Sequence, residues 1–238
     1  MKRHEKSATY EHRSFMIIDV EDSSSRPDPG LIPLRADLYR VTRDALARTL
    51  SSSAQWHSED RGDGILVLMD SAVPKIDIVG PLLDHLVAGL SRHNEHKSLQ
   101  EWMRLRVALH TGEVQRDREG WAGDALTTAF RLSEAQVVKK TFAAAPRAQC
   151  IIVASDYLFQ AVIRHGHPLV KADDYRPVSV PLHDGSMRAW VRVPGYAVPP
   201  SLPPPATASA AGRSSSQDVT IKAWFNDKVD VKHDINIS

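Results

Sequence analysis

The residues that could do chemistry begin with a group of acids. Glu59, Asp60 and Asp63 crowd into the stretch EDRGDGILVLMD, and Asp19 closes the apolar run SFMIIDV. Like charges that converge are costly unless a proton or a cation compensates. A hard divalent cation that prefers oxygen ligands, Mg²⁺ or Mn²⁺, suits Asp19 and Asp63. Gly62 and Gly64 would let the chain turn sharply and let a phosphate chain approach without a Cβ in the way. The competing reading is ordinary, since Asp is common and solvated at strand ends and in Asp-Gly turns. A second group lies in GDALTTAFRLSEA, with Asp124 near the start of a helix and Thr127 and Arg131 four residues apart. That spacing puts Thr127 and Arg131 on one helix face. A planar guanidinium grips phosphate oxygens in a bidentate fashion, although Arg131 could equally pair with Glu134.

Elements must bring these residues together. SFMIIDV is apolar on both faces, as a central strand covered on both sides should be. Leu31, Leu34, Leu38, Val41 and Ala45 then mark one face of a helix. AQWHSED and GILVLMD form two strands joined at RGDG, an Asp-Gly turn whose central positions tolerate positive φ. Val79, Leu82, Leu83, Leu86 and Leu90 mark a second helix, and Leu105, Val107 and Leu109 a strand. GDALTTAFRLSEAQVVKK follows as one helix. The order predicts an α+β fold, a ferredoxin-like βαββαβ sheet with antiparallel neighbours and helices on one face. QCIIVASDYLFQAVIRHG adds a strand and a short helix, and YRPVSVPLHDGSMRAWVRV a closing hairpin turning at HDG.

Four segments are expected. Residues 1–14 form a flexible leader, 15–195 the folded domain, 196–217 a Pro/Ala/Ser linker and 218–238 a C-terminal β-hairpin. In the last, Val219, Ile221, Ala223 and Phe225 share a face, as do Val229, Val231, Ile235 and Ile237 after a turn. A lone hairpin is marginal, so this one should dock on the domain, on a copy of itself or on a protein partner. The net charge of +1 gives no electrostatic case for nucleic acid or a membrane surface. No apolar stretch approaches the ~20 residues of a membrane span. The charged N-terminus lacks the apolar core of a secretory signal. The single cysteine, Cys150, excludes an internal disulfide framework, and together these features point to the cytoplasm.

Several motifs carry a resemblance. FMIIDVEDSS resembles the first metal motif of class III nucleotidyl cyclases, and EDRGDGILVLM their Gly-Asp hairpin. LRVALHTGEV is similar to the family's strand and His-Thr-Gly turn. GDALTTAFRLSEA is similar to the helix that supplies its transition-state contacts, and IIVASDYLFQAV to the strand and helix that follow. The motifs run in family order over about residues 15–193. The resemblance implies a cyclase-type domain with a C-terminal helix and hairpin extension. It also implies conversion of a nucleoside triphosphate to a 3′,5′-cyclic monophosphate and pyrophosphate, with two divalent ions bridged by Asp19 and Asp63. Backbone amides from Val20 to Ser24, with the side chains of Ser23 and Ser24, would cradle phosphates. Thr127 would orient the ribose, Arg131 would stabilise phosphate charge, and Asp124 would contact substrate. These groups lie on opposite faces of the domain in the family, so the resemblance implies a homodimer with composite sites. Glu59 stands at the base-reading position, where Glu favours guanine, and its partner position falls near Gly120.

The pattern also departs from the family. Thr127 replaces an Asn, and the closing hairpin lacks the expected Lys, leaving only His183. A degenerate pseudocyclase that binds nucleotide or dimerises is therefore the alternative. A diguanylate-cyclase relative is disfavoured, because the chain has no Gly-Gly-Asp/Glu-Glu-Phe turn. His110 reads as a hydrogen-bonded strand-end histidine rather than a general base. His93, Glu95 and His96 read as a polar helix end rather than a metal site.

Overall fold

Residues 10–23 and 28–200 are described by a computed structural model of the chain. The chain divides into Met1–Leu202 and Pro203–Ser238. Ser24, residues 201–217 of the expected linker and the hairpin expected over 218–238 lie outside the described residues. In chain order the elements are β1 (Tyr10–Val20), α1 (Asp28–Thr49), β2 (Trp56–Asp60) and β3 (Gly64–Asp70). Then come α2 (Lys75–Asp77), a π-helical turn (Ile78–Leu82) around Pro81, α3 (Leu83–Asn94), β4 (Leu105–Arg116) and β5 (Trp121–Ala122). The last are α4 (Asp124–Glu134), α5 (Gln136–Ala143), β6 (Cys150–Ser155), α6 (Asp156–Ala161), β7 (Arg176–Leu182) and β8 (Gly185–Arg192).

One sheet runs β2-β3-β1-β4-β6-β8-β7, with β5 paired to the end of β4. Its first four strands are antiparallel neighbours in the ferredoxin-like order. β6 then joins β4 in parallel, and the β7–β8 hairpin closes the sheet, turning at His183 and Asp184 as expected. β1 is central because its side chains are apolar on both faces. Met16, Ile18 and Val20 face the layer of α1 and α3, where Leu38, Val41, Leu82, Leu86 and Leu90 are buried. Phe15 and Ile17 face α4 and α5, where Leu126, Ala129, Leu132, Val138 and Phe142 are buried. The helices therefore cover both faces rather than one. The expected single helix after Gly123 is two helices, because Ala135 leaves the helical region (ψ 125°) and turns α5 along the sheet.

The domain also starts before residue 15. Tyr10 to Ser14 belong to β1 and pair with Gln115 to Thr111 of β4. These polar residues are held by specific bonds that composition does not reveal. Arg13 donates to Asp70 at 2.6 Å, His12 Nδ1 meets Glu113 Oε1 at 2.8 Å, and Ser14 donates to Thr111 at 3.3 Å.

Two tethers fix the register of the layers. Asn94, fully buried at the end of α3, exchanges two 2.9 Å bonds with the backbone of Met103 just before β4. Arg104 donates to the carbonyls of Phe142, Ala145 and Ala148, stacks over Phe142 at 4.0 Å and pairs with Glu21 at 2.6 Å. It thus adds a second donor to the Phe142 and Ala145 carbonyls, which already accept backbone amides, and ties the end of α5 to the segment after β1.

α4 lies close on β4 because position 112 has no side chain. A Cβ on Gly112 would stand 2.6 Å from the Ala125 Cβ, well inside contact distance. Gly112→Ala should push α4 off the sheet and cost about 1–3 kcal/mol, read as a lower urea midpoint. Gly30→Ala in α1, where nothing lies within 4 Å, should be neutral or stabilising by up to about 1 kcal/mol.

Candidate active site

The end of the sheet where β1 stops carries the acids. Asp19 is opposite Gly64 of β3 on one side and Arg106 of β4 on the other. By strand alternation Asp19 and Arg106 face the α4 layer, the side of Ile17 and Ala108. Asp63 precedes Gly64 in the β2–β3 turn, and its carbonyl accepts from the Val20 amide at 3.2 Å. The left-handed residue of that turn is Gly62 alone, at φ 76°. Gly64 serves a different need, since a Cβ there would stand 2.7 Å from the Ile18 carbonyl oxygen. Turn and strand end are thereby pressed together, and the two acids with them.

Burial dominates the electrostatics of Asp19. Desolvation raises its pKa to about 6, Arg106 opposes that, and the charges of Asp63 and Glu134 add to it. Arg106 donates through Nη2 to Asp19 Oδ2, while its Nε is buried without a partner. Asp63 accepts from the Ser23 hydroxyl at 2.5 Å. Every oxygen here is a hard donor suited to Mg²⁺ or Mn²⁺. Among the described residues no group of three or more His, Cys, Asp and Glu could hold a metal ion.

The remaining candidates fall into two places. Ser23 is buried and bonds Asp63, so its hydroxyl is already engaged. The Val20 and Glu21 amides are engaged too, by Asp63 and Arg104 carbonyls, which removes two of the five amides of the expected phosphate cradle. Asp124, Thr127 and Arg131 line one exposed face of α4. Asp124 and Arg131 make no ion pair among the described residues. Glu134 pairs with Lys139 at 2.6 Å, not with Arg131. The Thr127 hydroxyl turns back onto its own helix, donating to the Gly123 carbonyl at 3.2 Å. Glu59 sits on β2 with Oε2 bonded to Arg61 at 2.7 Å, and its Oε1 would be 3.9 Å from a Cβ on Gly120.

Arginine partners are what the sequence reading missed. Arg106 compensates Asp19, Arg61 compensates Glu59, and Arg35 with the Tyr39 hydroxyl compensates Asp60. For Arg106 a signal existed, because LRVALH places a charge at an alternate position of an otherwise apolar strand. Arg35 lies on a distant helix and left no such trace.

No family model matches the chain, and no curated protein does. Solved structures do. An adenylate/guanylate cyclase/hydrolase from Silicibacter pomeroyi superposes with a TM-score of 0.56 at 18% identity, covering 79% of this chain and 99% of that one. This is the fold of the nucleotide cyclase catalytic domain. The guanylate cyclase domain from Catenaria anguillulae in complex with GTP matches this cyclase fold at TM-score 0.51 and 16% identity, over 78% of this chain and 98% of that one. A non-canonical dimeric guanylyl cyclase domain of the RhoGC fusion protein from Blastocladiella emersonii matches at 0.51 and 15%, over 78% and 98%. At these identities the likeness is one of fold. Among the described residues no helix of the cyclase fold is long and apolar enough to cross a membrane.

His110 behaves as a structural residue of this fold. Its Nδ1 lies 2.8 Å from the Ser155 hydroxyl, which in turn accepts from Leu158 N and caps α6. Desolvation, aided by the charge of His12, lowers its pKa to about 4. A depressed histidine favours the neutral fold, so its contribution to stability is full above the ordinary value of about 6.5. It is lost as the pH falls through that value toward 4. The His110 ring protons should therefore titrate near pH 4 by NMR; a midpoint near 6.5 would contradict the buried, neutral assignment.

Proposed function

We propose that the protein is a nucleotidyl cyclase. It would convert a nucleoside triphosphate to a 3′,5′-cyclic monophosphate and pyrophosphate at a homodimer interface. The observation that carries this reading is the meeting of Asp19 and Asp63 at one end of a cyclase-type sheet, with Asp19 held against its own burial. The donor set fits the divalent ions. Mg²⁺ commonly takes one or two carboxylates and completes its shell with substrate phosphates, so two acids and a hydroxyl are enough. Bound there, two ions would lower the pKa of the ribose 3′-hydroxyl and neutralise the triphosphate. Asp19 and Asp63 are the residues that would hold them.

The chain's own residues take the other tasks. Arg106 brings a fixed positive charge to the same sheet end and would share the charge of the triphosphate. Arg131 would do so from α4, and Glu59 would read the base. Asp124, Thr127 and Arg131 are exposed, and neither Asp124 nor Arg131 is paired within the described chain. That leaves them available to a second copy. The GTP-bound neighbour supports the substrate class, and the non-canonical dimer of another neighbour supports dimerisation as such. The cytoplasmic setting expected from the sequence is part of this proposal.

A second reading is favoured by one observation. The Thr127 hydroxyl is spent on the Gly123 carbonyl, where the family has an amide for the ribose. A pseudocyclase that binds nucleotide and signals by dimerising would tolerate that loss.

Incubation with each of the four NTPs plus Mn²⁺, with products read by mass spectrometry, should reveal a cyclic nucleotide and pyrophosphate. Asp63→Asn should lower turnover at least a hundredfold, with the metal-free melting temperature nearly unchanged. Binding without any product would support the pseudocyclase, and unaltered turnover in Asp63→Asn would refute the metal assignment.

A further inference from the structure

We propose that Arg61 is a specificity-determining residue that restricts how Glu59 reads the base, an inference resting on the assignment of Glu59 above. A carboxylate with both oxygens free matches an edge bearing two adjacent N–H donors, such as N1–H and N2–H of guanine. Glu59 is not in that state. Its Oε2 is occupied by Arg61 Nη2 at 2.7 Å, and only Oε1 faces the space beside Gly120. His57 Nε2 approaches Oε1 only to 3.7 Å, outside hydrogen-bond distance.

The grip of Arg61 is built into the fold. Its backbone N–H bonds the Gly64 carbonyl at 3.0 Å, closing the β2–β3 turn, and its guanidinium lies 5.4 Å over the Phe130 ring of α4. The Arg61 and Glu59 side chains are each about three-quarters buried, at 25% and 23% exposure, so solvent competes weakly for the pair. The Nε of Arg61 is buried without a partner. Gly120 stands opposite at φ 144°, a conformation that keeps a side chain out of this space. The base would meet one free carboxylate oxygen, with the other held by the Arg61 guanidinium. That combination suits a base edge offering one N–H and leaves the second donor of guanine unmet. The lean toward GTP that a lone Glu would suggest is weakened, because guanine keeps a contact through N1–H and loses the one at N2–H.

The test is the affinity of the intact protein for each NTP in the presence of Ca²⁺, measured by calorimetry. Arg61→Met keeps the stem over Phe130 and removes the guanidinium, freeing Oε2. It should raise GTP affinity relative to the other three nucleotides about tenfold, the value of one charge-assisted hydrogen bond. In a Glu59→Gln background the same substitution should leave the ratios unchanged. Ratios unmoved by Arg61→Met, or moved equally in the Glu59→Gln background, would overturn the role of Arg61. Failure of all four nucleotides to bind the wild-type chain would instead overturn the nucleotide reading itself. Arg61→Lys separates structure from specificity: it preserves the charge, so a shift as large as that of Arg61→Met shows that the planar grip on Oε2 is what matters. Ratios like those of the wild type with Lys, alongside a shift with Met, assign the effect to charge.

Discussion

The buried carboxylate of Asp19 sets the terms for the site. It ends the central strand, so it is enclosed by β3, β4 and the α4 layer before any ligand arrives. Desolvation is the largest influence on it and drives its pKa upward. Arg106, directly across β4, is the counterweight. A buried acid with one guanidinium partner is a poor source of stability. It is also a good site for a divalent ion, which compensates the same charge more fully than a guanidinium does. The strand register that puts Arg106, Asp19 and Gly64 in one row is thus both a folding constraint and the basis of the proposed chemistry.

The same logic runs along the neighbouring turn. Glu59, Asp60 and Asp63 would repel one another if left bare, yet each is met from a different direction. Arg61 comes from the turn itself, Arg35 and Tyr39 from α1, and Ser23 from the loop after β1. The turn stays compact because Gly62 takes the left-handed conformation and Gly64 allows the backbone of β1 to approach. Acid crowding is therefore offset by cations and hydroxyls of the protein itself, with Asp63 met by a hydroxyl and Asp19 still shifted upward despite Arg106. Those two are the pair the proposed function uses.

The α4 layer is positioned by absences as much as by contacts. Gly112 lets the helix sit on β4, and the break at Ala135 sends α5 along the sheet, where Arg104 captures its last carbonyls. The buried stripe of Leu126, Ala129 and Leu132 leaves Asp124, Thr127 and Arg131 on the outer face. A helix held this tightly presents that face rigidly, which a composite site between two copies would require.

Local pattern made much of this legible. The two-sided apolar run of β1, the 3.6-residue spacing of α1 and α3, and the Asp-Gly-bearing turn gave the ferredoxin-like order without coordinates. Asp19 and Asp63 were legible as candidates because strand ends and turns are where alternation stops. The early start of β1 was not, because Tyr10 to Ser14 are polar and gain their order only from partners near residues 70 and 113. The cover on the second sheet face was missed because amphipathic spacing identifies a buried side without saying which layer buries it. The amides near Ser23 looked free because a sequence does not show which carbonyl a loop will meet.

Residue type and spacing by themselves determined which segments are strands, which helix faces are apolar and which acids end their elements, since each follows from a period of two or 3.6 along the chain. Only the tertiary structure decided which cation stands against which acid. Arg106, Arg61 and Arg35 acquire their roles from register, turn shape and helix packing, and distances of a few ångströms across the fold are not written in linear order.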